Sequence, residues 1–208
     1  MVNIAVVDYD MGNLHSACKA LEKAGATPTI TDQSEQILGA DAVVLPGVGA
    51  FDPAMQHLRD RHLEASINQA IASGKPFLGI CLGMQILFDS SAEGTEKGLG
   101  IIPGRVKRFQ PEPEITIPHM GWNQLQLTQP DHPIWQDLPK DPFVYFVHSF
   151  YVAPTDPEVN AATVTHGQQT VTAAIAKDNL VAMQFHPEKS SAIGLKILEN
   201  FVHWVKQQ

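Results

Sequence analysis

Residues 77–88 read Phe77-Leu78-Gly79-Ile80-Cys81-Leu82-Gly83-Met84-Gln85-Ile86-Leu87-Phe88. An apolar run leads into Gly79, and the stretch after Gly83 contains neither Gly nor Pro, so the segment reads as strand, tight turn and helix. Glycines at 79 and 83 stand where the backbone of such a turn crowds itself. This is the elbow that holds a nucleophile out from the top of a sheet, and the nucleophile here is Cys81. A thiolate at a helix N-terminus sits near roughly half a positive charge, which favours the ionised form. The next backbone N–H, that of Leu82, is placed to donate to an oxyanion.

Working outward, the second informative stretch is Phe185-His186-Pro187-Glu188. Pro187 biases His186 toward extended geometry, and in an extended chain residues two apart face the same way. Glu188 therefore reaches the imidazole of His186. A carboxylate on one ring nitrogen leaves the other free to take a thiol proton, which is triad logic. Alone, the Gly-x-Cys-x-Gly stretch also fits a buried cysteine in a turn, and His-Pro-Glu also fits an ordinary loop. The two in this order in one chain point to catalysis.

The chain has 208 residues, 44% hydrophobic and 17% charged, with a net charge of −8. That length fits one domain, residues 1–208, with a sizeable core. The acidic balance argues against nucleic acid and against an anionic membrane as partners. Arg105, Lys107 and Arg108 are the only grouped cations, expected as a solvated strand face. Cys18 lies with Leu14, Ala17 and Leu21 at helical spacing and reads as a small core residue. A disulfide to Cys81 is disfavoured by the count of two cysteines. The apolar run Ile4 to Val7 is too short for a signal sequence and no stretch has the length of a membrane span, so a cytoplasmic location is expected. The histidines other than His148 and His186 show no metal-ligand spacing, and neither metal nor cofactor is expected.

Short apolar runs at Ile4–Val7, Thr27–Thr31, Ala42–Leu45 and Phe77–Leu78 alternate with helical patterns, the first capped by Asn13 and another opened by Asp52-Pro53. The second of these patterns stutters near Asp60 to His62. This rhythm predicts an α/β fold, a three-layer doubly wound, mostly parallel sheet. From Gly98 the texture becomes β-rich: Ile101–Phe109, Trp122–Leu127, Phe143–Val152, Ala161–Thr165, Val171–Ala176 and Leu180–Phe185. Ser190 to Gln207 closes the chain as a helix with Ile193, Ile197, Phe201 and Val205 at i+4 spacing.

The elbow with Met84-Gln85, the loop Pro46-Gly47-Val48-Gly49-Ala50-Phe51, and Phe185 to Ser190 together resemble the class I glutamine amidotransferase family. Val6 to Tyr9, Gly12-Asn13, Gly98 to Gly100, Pro118 to Asn123 and Tyr145 to Ser149 extend the likeness to the branch that serves histidine biosynthesis. The resemblance implies hydrolysis of L-glutamine to glutamate and ammonia, with ammonia passed to a (β/α)8-barrel cyclase subunit in a heterodimer. It implies Cys81 as nucleophile, His186 as general base and acid, and Glu188 as its orienter. Gly47, Val48 and Gly49 would supply the second oxyanion amide beside Leu82. Gln85, His148, Ser149 and Phe150 would hold the substrate, the last three largely by backbone. Phe150 departs from the family at a place where a hydroxylated aromatic is also common. Asn13, Trp122 and Lys189 are candidates for the partner interface, and His119 for the same surface, with core packing an equal reading for Trp122. Other readings are the glutaminase of pyridoxal phosphate synthesis, a freestanding γ-glutamyl cysteine hydrolase and a non-catalytic regulatory subunit.

Overall fold

Val2–Val7 form the first strand, β1, and its side chains divide between two cores. Ile4 and Val6 join one, while Ala5 and Val7 join the other. A strand buried on both faces belongs inside a sheet covered by helices on both sides. The computed structural model describes residues 1–208. After β1 come α1 (Leu14–Lys23), β2 (Ala26–Thr31), α2 (Ser34–Gly39), β3 (Ala42–Gly47), α3 (Phe51–Asp60), α4 (Glu64–Ala72) and β4 (Phe77–Cys81). One helical turn, α5 (Leu82–Gln85), leads to β5 (Phe88–Ser91), β6 (Ile102–Arg108), β7 (His119–Gln124) and β8 (Gln126–Leu127). The chain finishes with β9 (Phe143–His148), β10 (Phe150–Pro154), β11 (Asn160–His166), β12 (Gln169–Lys177), β13 (Leu180–Met183) and α6 (Ser191–Val205).

The main sheet has eight strands in the order β2-β1-β3-β4-β13-β12-β11-β8. The first five are parallel and the last three antiparallel. Cys18 and Leu21 of α1 and Ile197, Leu198 and Phe201 of α6 fill the core on one face. Ile37 of α2, Phe51 and Leu58 of α3 and Ile67 of α4 fill the other. The result is the three-layer α/β arrangement expected. Strand order reverses at β1, and the carboxyl ends of β1, β3 and β4 meet there, which is where such sheets bind ligands.

Several local expectations hold. Asn13 caps α1, its Oδ1 accepting from Ser16 N at 3.4 Å, and Cys18 is buried with a free thiol. The stutter at Asp60 to His62 is the break between α3 and α4, with His62 at φ 58°. Arg105, Lys107 and Arg108 are exposed on β6. No helix is long and apolar enough to cross a membrane.

Four details differ. The helix after the elbow stops at Gln85 because the carbonyls of Ile86, Leu87 and Phe88 accept from the amides of Leu99, Ile101, Ile102 and Gly100, which draws Phe88 into a second sheet. Asp52 does not cap α3. It lies inside the first turn and accepts from Thr95 N at 2.9 Å and Glu96 N at 3.0 Å, fixing the loop after β5. The run Phe143 to Val152 is two strands, β9 pairing with β7 and β10 with β6, split at Ser149. Trp122–Leu127 likewise falls in two strands, β7 and β8, which belong to different sheets.

Candidate active site

Cys81 ends β4 with φ 54° and ψ −110°, a backbone conformation that a residue with a side chain rarely adopts. The elbow is held by close approach. A Cβ on Gly83 would strike the Leu45 carbonyl oxygen, so only glycine lets β3 and the turn meet. Gly47, paired in register with Cys81, is closed in by Tyr9 Oη, Leu82 and Gly83 N in the same way. Above the elbow opens a cavity of about 330 Å³ lined by Val48, Gly49, Cys81, Leu82, Gln85, Glu93, His148, Ser149, Phe150 and His186, with Pro118 and Val147.

The structure thus gathers Cys81, His186, Leu82, Val48, Gly49, Gln85, His148, Ser149 and Phe150 around one space. Gly47 lies beneath it rather than on its wall. Of the loop amides, that of Val48 donates to the Met11 carbonyl at 2.6 Å and is committed to the β1–α1 loop. Asn13, Trp122 and Lys189 lie off the cavity. Trp122 is 54% exposed, edge-on to Tyr145, so core packing does not account for it. His119 is a correction: it is buried, not at the surface, because its ring bonds His148 and stacks on Phe146 and His166.

His186 follows β13 with its backbone pinned, its N–H donating to Tyr145 O at 3.0 Å and its carbonyl accepting from Ser190 Oγ at 2.6 Å. Nδ1 meets Glu188 Oε1 at 2.7 Å, with both side chains buried. A carboxylate only accepts, so Nδ1 carries a hydrogen in either charge state, and in the neutral ring Nε2 presents a lone pair. Nε2 and Glu188 Oε2 are buried without partners. Burial pulls the imidazole toward neutrality, but interaction with the neighbouring Cys81 sulfur and with the Glu188 carboxylate outweighs it and raises the group to about 9.

The polar groups that link to Cys81 through Gln184 are neutral. Gln184, fully buried, places Nε2 3.6 Å from Cys81 Sγ. Its Oε1 accepts from Gln85 Nε2 at 2.9 Å, and Gln85 Nε2 also donates to the Phe150 carbonyl at 3.1 Å. His148 Nδ1 reaches the same carbonyl at 2.8 Å, and His148 Nε2 meets His119 Nδ1 at 2.9 Å. Burial lowers His148 to about 3 and His119 to about 4, with neighbouring histidines adding to both. Tyr9 is buried with its hydroxyl unpartnered, and burial, with the charge of Cys81, raises it and keeps the phenol neutral.

Sequence reasoning missed Glu93 and Gln184. Glu93 reaches the cavity through the loop after β5, its Oε2 accepting from Phe51 N at 2.8 Å, and no local pattern marked it. Gln184 follows the last residue of β13, and no local pattern marked it either.

The family model described as glutamine amidotransferase class-I matches residues 5–204. Imidazole glycerol phosphate synthase subunit HisH of Nostoc punctiforme is 70% identical over 205 residues, covering 99% of this chain and 97% of that relative. The protein of the same name from Trichodesmium erythraeum is 71% identical over 202 residues, covering 97% and 94%. Among solved structures, PurLQS from Thermotoga maritima superposes with a TM-score of 0.74 at 21% identity, covering 98% of this chain and 99% of that one. The glutaminase domain of Trypanosoma brucei CTPS gives 0.72 at 17% identity, covering 100% and 95%. The chain belongs to the class I glutamine amidotransferase family.

Proposed function

We propose that this chain is the glutaminase subunit of an imidazole glycerol phosphate synthase, hydrolysing L-glutamine and passing the ammonia to a (β/α)8-barrel cyclase subunit in histidine biosynthesis. The observation that carries the chemistry is the buried His186–Glu188 pair at 2.7 Å, with Nε2 unpartnered in the cavity it shares with Cys81. The identity of about 70% to HisH subunits over nearly the whole chain supports the assignment of partner and pathway.

In the proposed reaction His186 Nε2 takes the Cys81 proton and the thiolate attacks the γ-carboxamide carbon of glutamine. The carbonyl oxygen becomes an oxyanion held by the backbone N–H of Leu82 and by the Gly47–Gly49 loop. The C–N bond breaks as His186 returns its proton to nitrogen, leaving ammonia and a γ-glutamyl thioester. His186 then takes a proton from water, the hydroxide attacks the thioester, and glutamate leaves as Cys81 is reprotonated. Glu188 keeps Nδ1 protonated and supports the imidazolium between these steps. Gln85 commits both amide hydrogens within the protein and so offers its oxygen to a donor such as the substrate ammonium. Glu93 supplies a carboxylate for the same cation.

The Val48 N–H bond to Met11 ties the oxyanion loop to the Tyr9–Asn13 loop. With that amide turned away, the second donor is incomplete, so activity depends on the partner rearranging these loops. An oxyanion donor out of place costs roughly 10²–10³ in rate, enough to keep ammonia from being released without a consumer. The test compares glutamine turnover by the chain alone, with the cyclase subunit, and with that pair plus the cyclase's nucleotide substrate. The rate should climb through the series. Equal rates in all three would reject coupling and favour a freestanding hydrolase.

A further inference from the structure

The polar groups that reach Cys81 through Gln184 form a chain whose every orientation follows from one backbone atom. The Phe150 carbonyl can only accept. Gln85 approaches it at 3.1 Å, so the end of Gln85 that faces it is the NH2. The same nitrogen lies 2.9 Å from the side chain of Gln184, so Gln184 presents its oxygen there. With its oxygen so placed, the other end of the Gln184 amide, 3.6 Å from Cys81 Sγ, is the nitrogen. Turning Gln184 over would set two NH2 groups against each other, and turning Gln85 as well would set an amide oxygen against the Phe150 carbonyl. Gln184 is fully buried and its backbone N–H is fixed to Ala173 O at 2.8 Å, so the side chain has no solvent route out of this arrangement.

We propose that Gln184 is a further catalytic residue: its side-chain N–H donates to Cys81 Sγ and holds the sulfur as a thiolate, aimed there by the Phe150 carbonyl acting through Gln85. The inference rests on Cys81 being the nucleophile. A neutral N–H favours the charged sulfur over the thiol because hydrogen bonds to ionised acceptors are roughly twice as strong as neutral ones. It supports the thiolate without competing with His186 for the proton. The group is also a donor with no acid chemistry of its own, so it cannot quench the nucleophile.

The test is the pH dependence of alkylation by iodoacetamide, followed by mass at the Cys81 peptide, in the chain bound to its cyclase subunit. Gln184→Met deletes the donor at similar volume and without new charge. Gln85→Met leaves Gln184 in place but removes what orients it. His186, Glu188, Tyr9, His148 and Glu93, the titratable groups around the sulfur, stay unchanged in both. Gln184→Met should lower the ratio of the rate at about pH 7 to the rate at about pH 10 by about tenfold, the equivalent of one unit on the titration. Gln85→Met should lower it in the same direction but less. A wild-type ratio in folded Gln184→Met overturns the proposal; if that variant does not fold, a wild-type ratio in Gln85→Met overturns it. Failure of the underlying reading looks different: Cys81 in the wild type would then alkylate no faster than Cys18.

Discussion

Two sets of polar groups meet at Cys81. The first is His186 and Glu188, ionisable, buried and each with an atom left unpartnered; the second is Gln184, Gln85, the Phe150 carbonyl, His148 and His119, all neutral and joined end to end. In the proposed reaction the first set keeps bonding capacity in reserve for protons that move, and the second has its orientations fixed while they do. An unpartnered buried polar atom costs about 1–3 kcal/mol, which a structural pair would have no reason to bear.

The comparison breaks most visibly at the reactive end. Cys81→Ala and His186→Ala should each reduce glutamine turnover to background, and the double variant should be no worse than either, since members of one catalytic unit are strongly non-additive. Additive losses measured in steady-state assays would show that the two groups do not act together. Next comes Glu188→Gln, which keeps the shape but removes the charge behind the imidazolium. A kcat loss on the order of 10²–10⁴ is expected, and wild-type kcat would reduce Glu188 to a turn residue.

On the neutral side effects are smaller and fall on binding. His119→Phe removes the donor to His148 Nε2 while keeping an aromatic between Phe146 and His166. Loss of one neutral hydrogen bond, about 0.5–1.5 kcal/mol, should raise KM about 2- to 12-fold with kcat little changed. A fall in kcat alone would contradict that division of labour. The smallest effect concerns stability. His148 and His119 titrate near 3 and 4 when folded, but near 6.5 when unfolded. Their contribution is present above about pH 6.5. It is lost as pH falls toward those values, because the unfolded chain binds protons that the native one refuses. His186, raised to about 9, has the opposite sign: its contribution is present below about pH 6.5 and lost as pH rises through 9. Urea midpoints between about pH 6.5 and 4 should therefore fall less steeply in His119→Phe than in the wild type.

Sequence carried one side of this site better than the other, for physical reasons. The elbow was readable because Gly79, Cys81 and Gly83 encode a local crowding problem, and His186 with Glu188 because of their two-residue spacing, although the reach is made by the 3-10 turn Pro187–Lys189 and not by the continued extension expected. The parallel half of the sheet was readable from β1, β3 and β4, which are buried on both faces. Ile86–Phe88 was not, since a short apolar run fits helix and strand equally, and tertiary bonds from the Gly98–Ile102 segment decided the matter. The split at Ser149 was hidden because alternation continues through the bend. His119 read as a surface residue because its partner, His148, lies 29 positions away in the chain. The orientation of Gln85 and Gln184 is a tertiary fact with no local sequence trace.

Residue 150 serves the molecule twice, through its side chain and through its carbonyl. The Phe150 ring packs, partly buried, against the core on the α2–α4 face, while what His148 and Gln85 draw from the position is an oxygen that every amino acid possesses. A substitution scan would report on the ring's packing and miss that atom altogether. Only an alteration of the backbone itself, such as an ester in place of the 150–151 amide, which weakens that oxygen as an acceptor, would expose it. Both His148 and Gln85 would loosen together, though no side chain had changed.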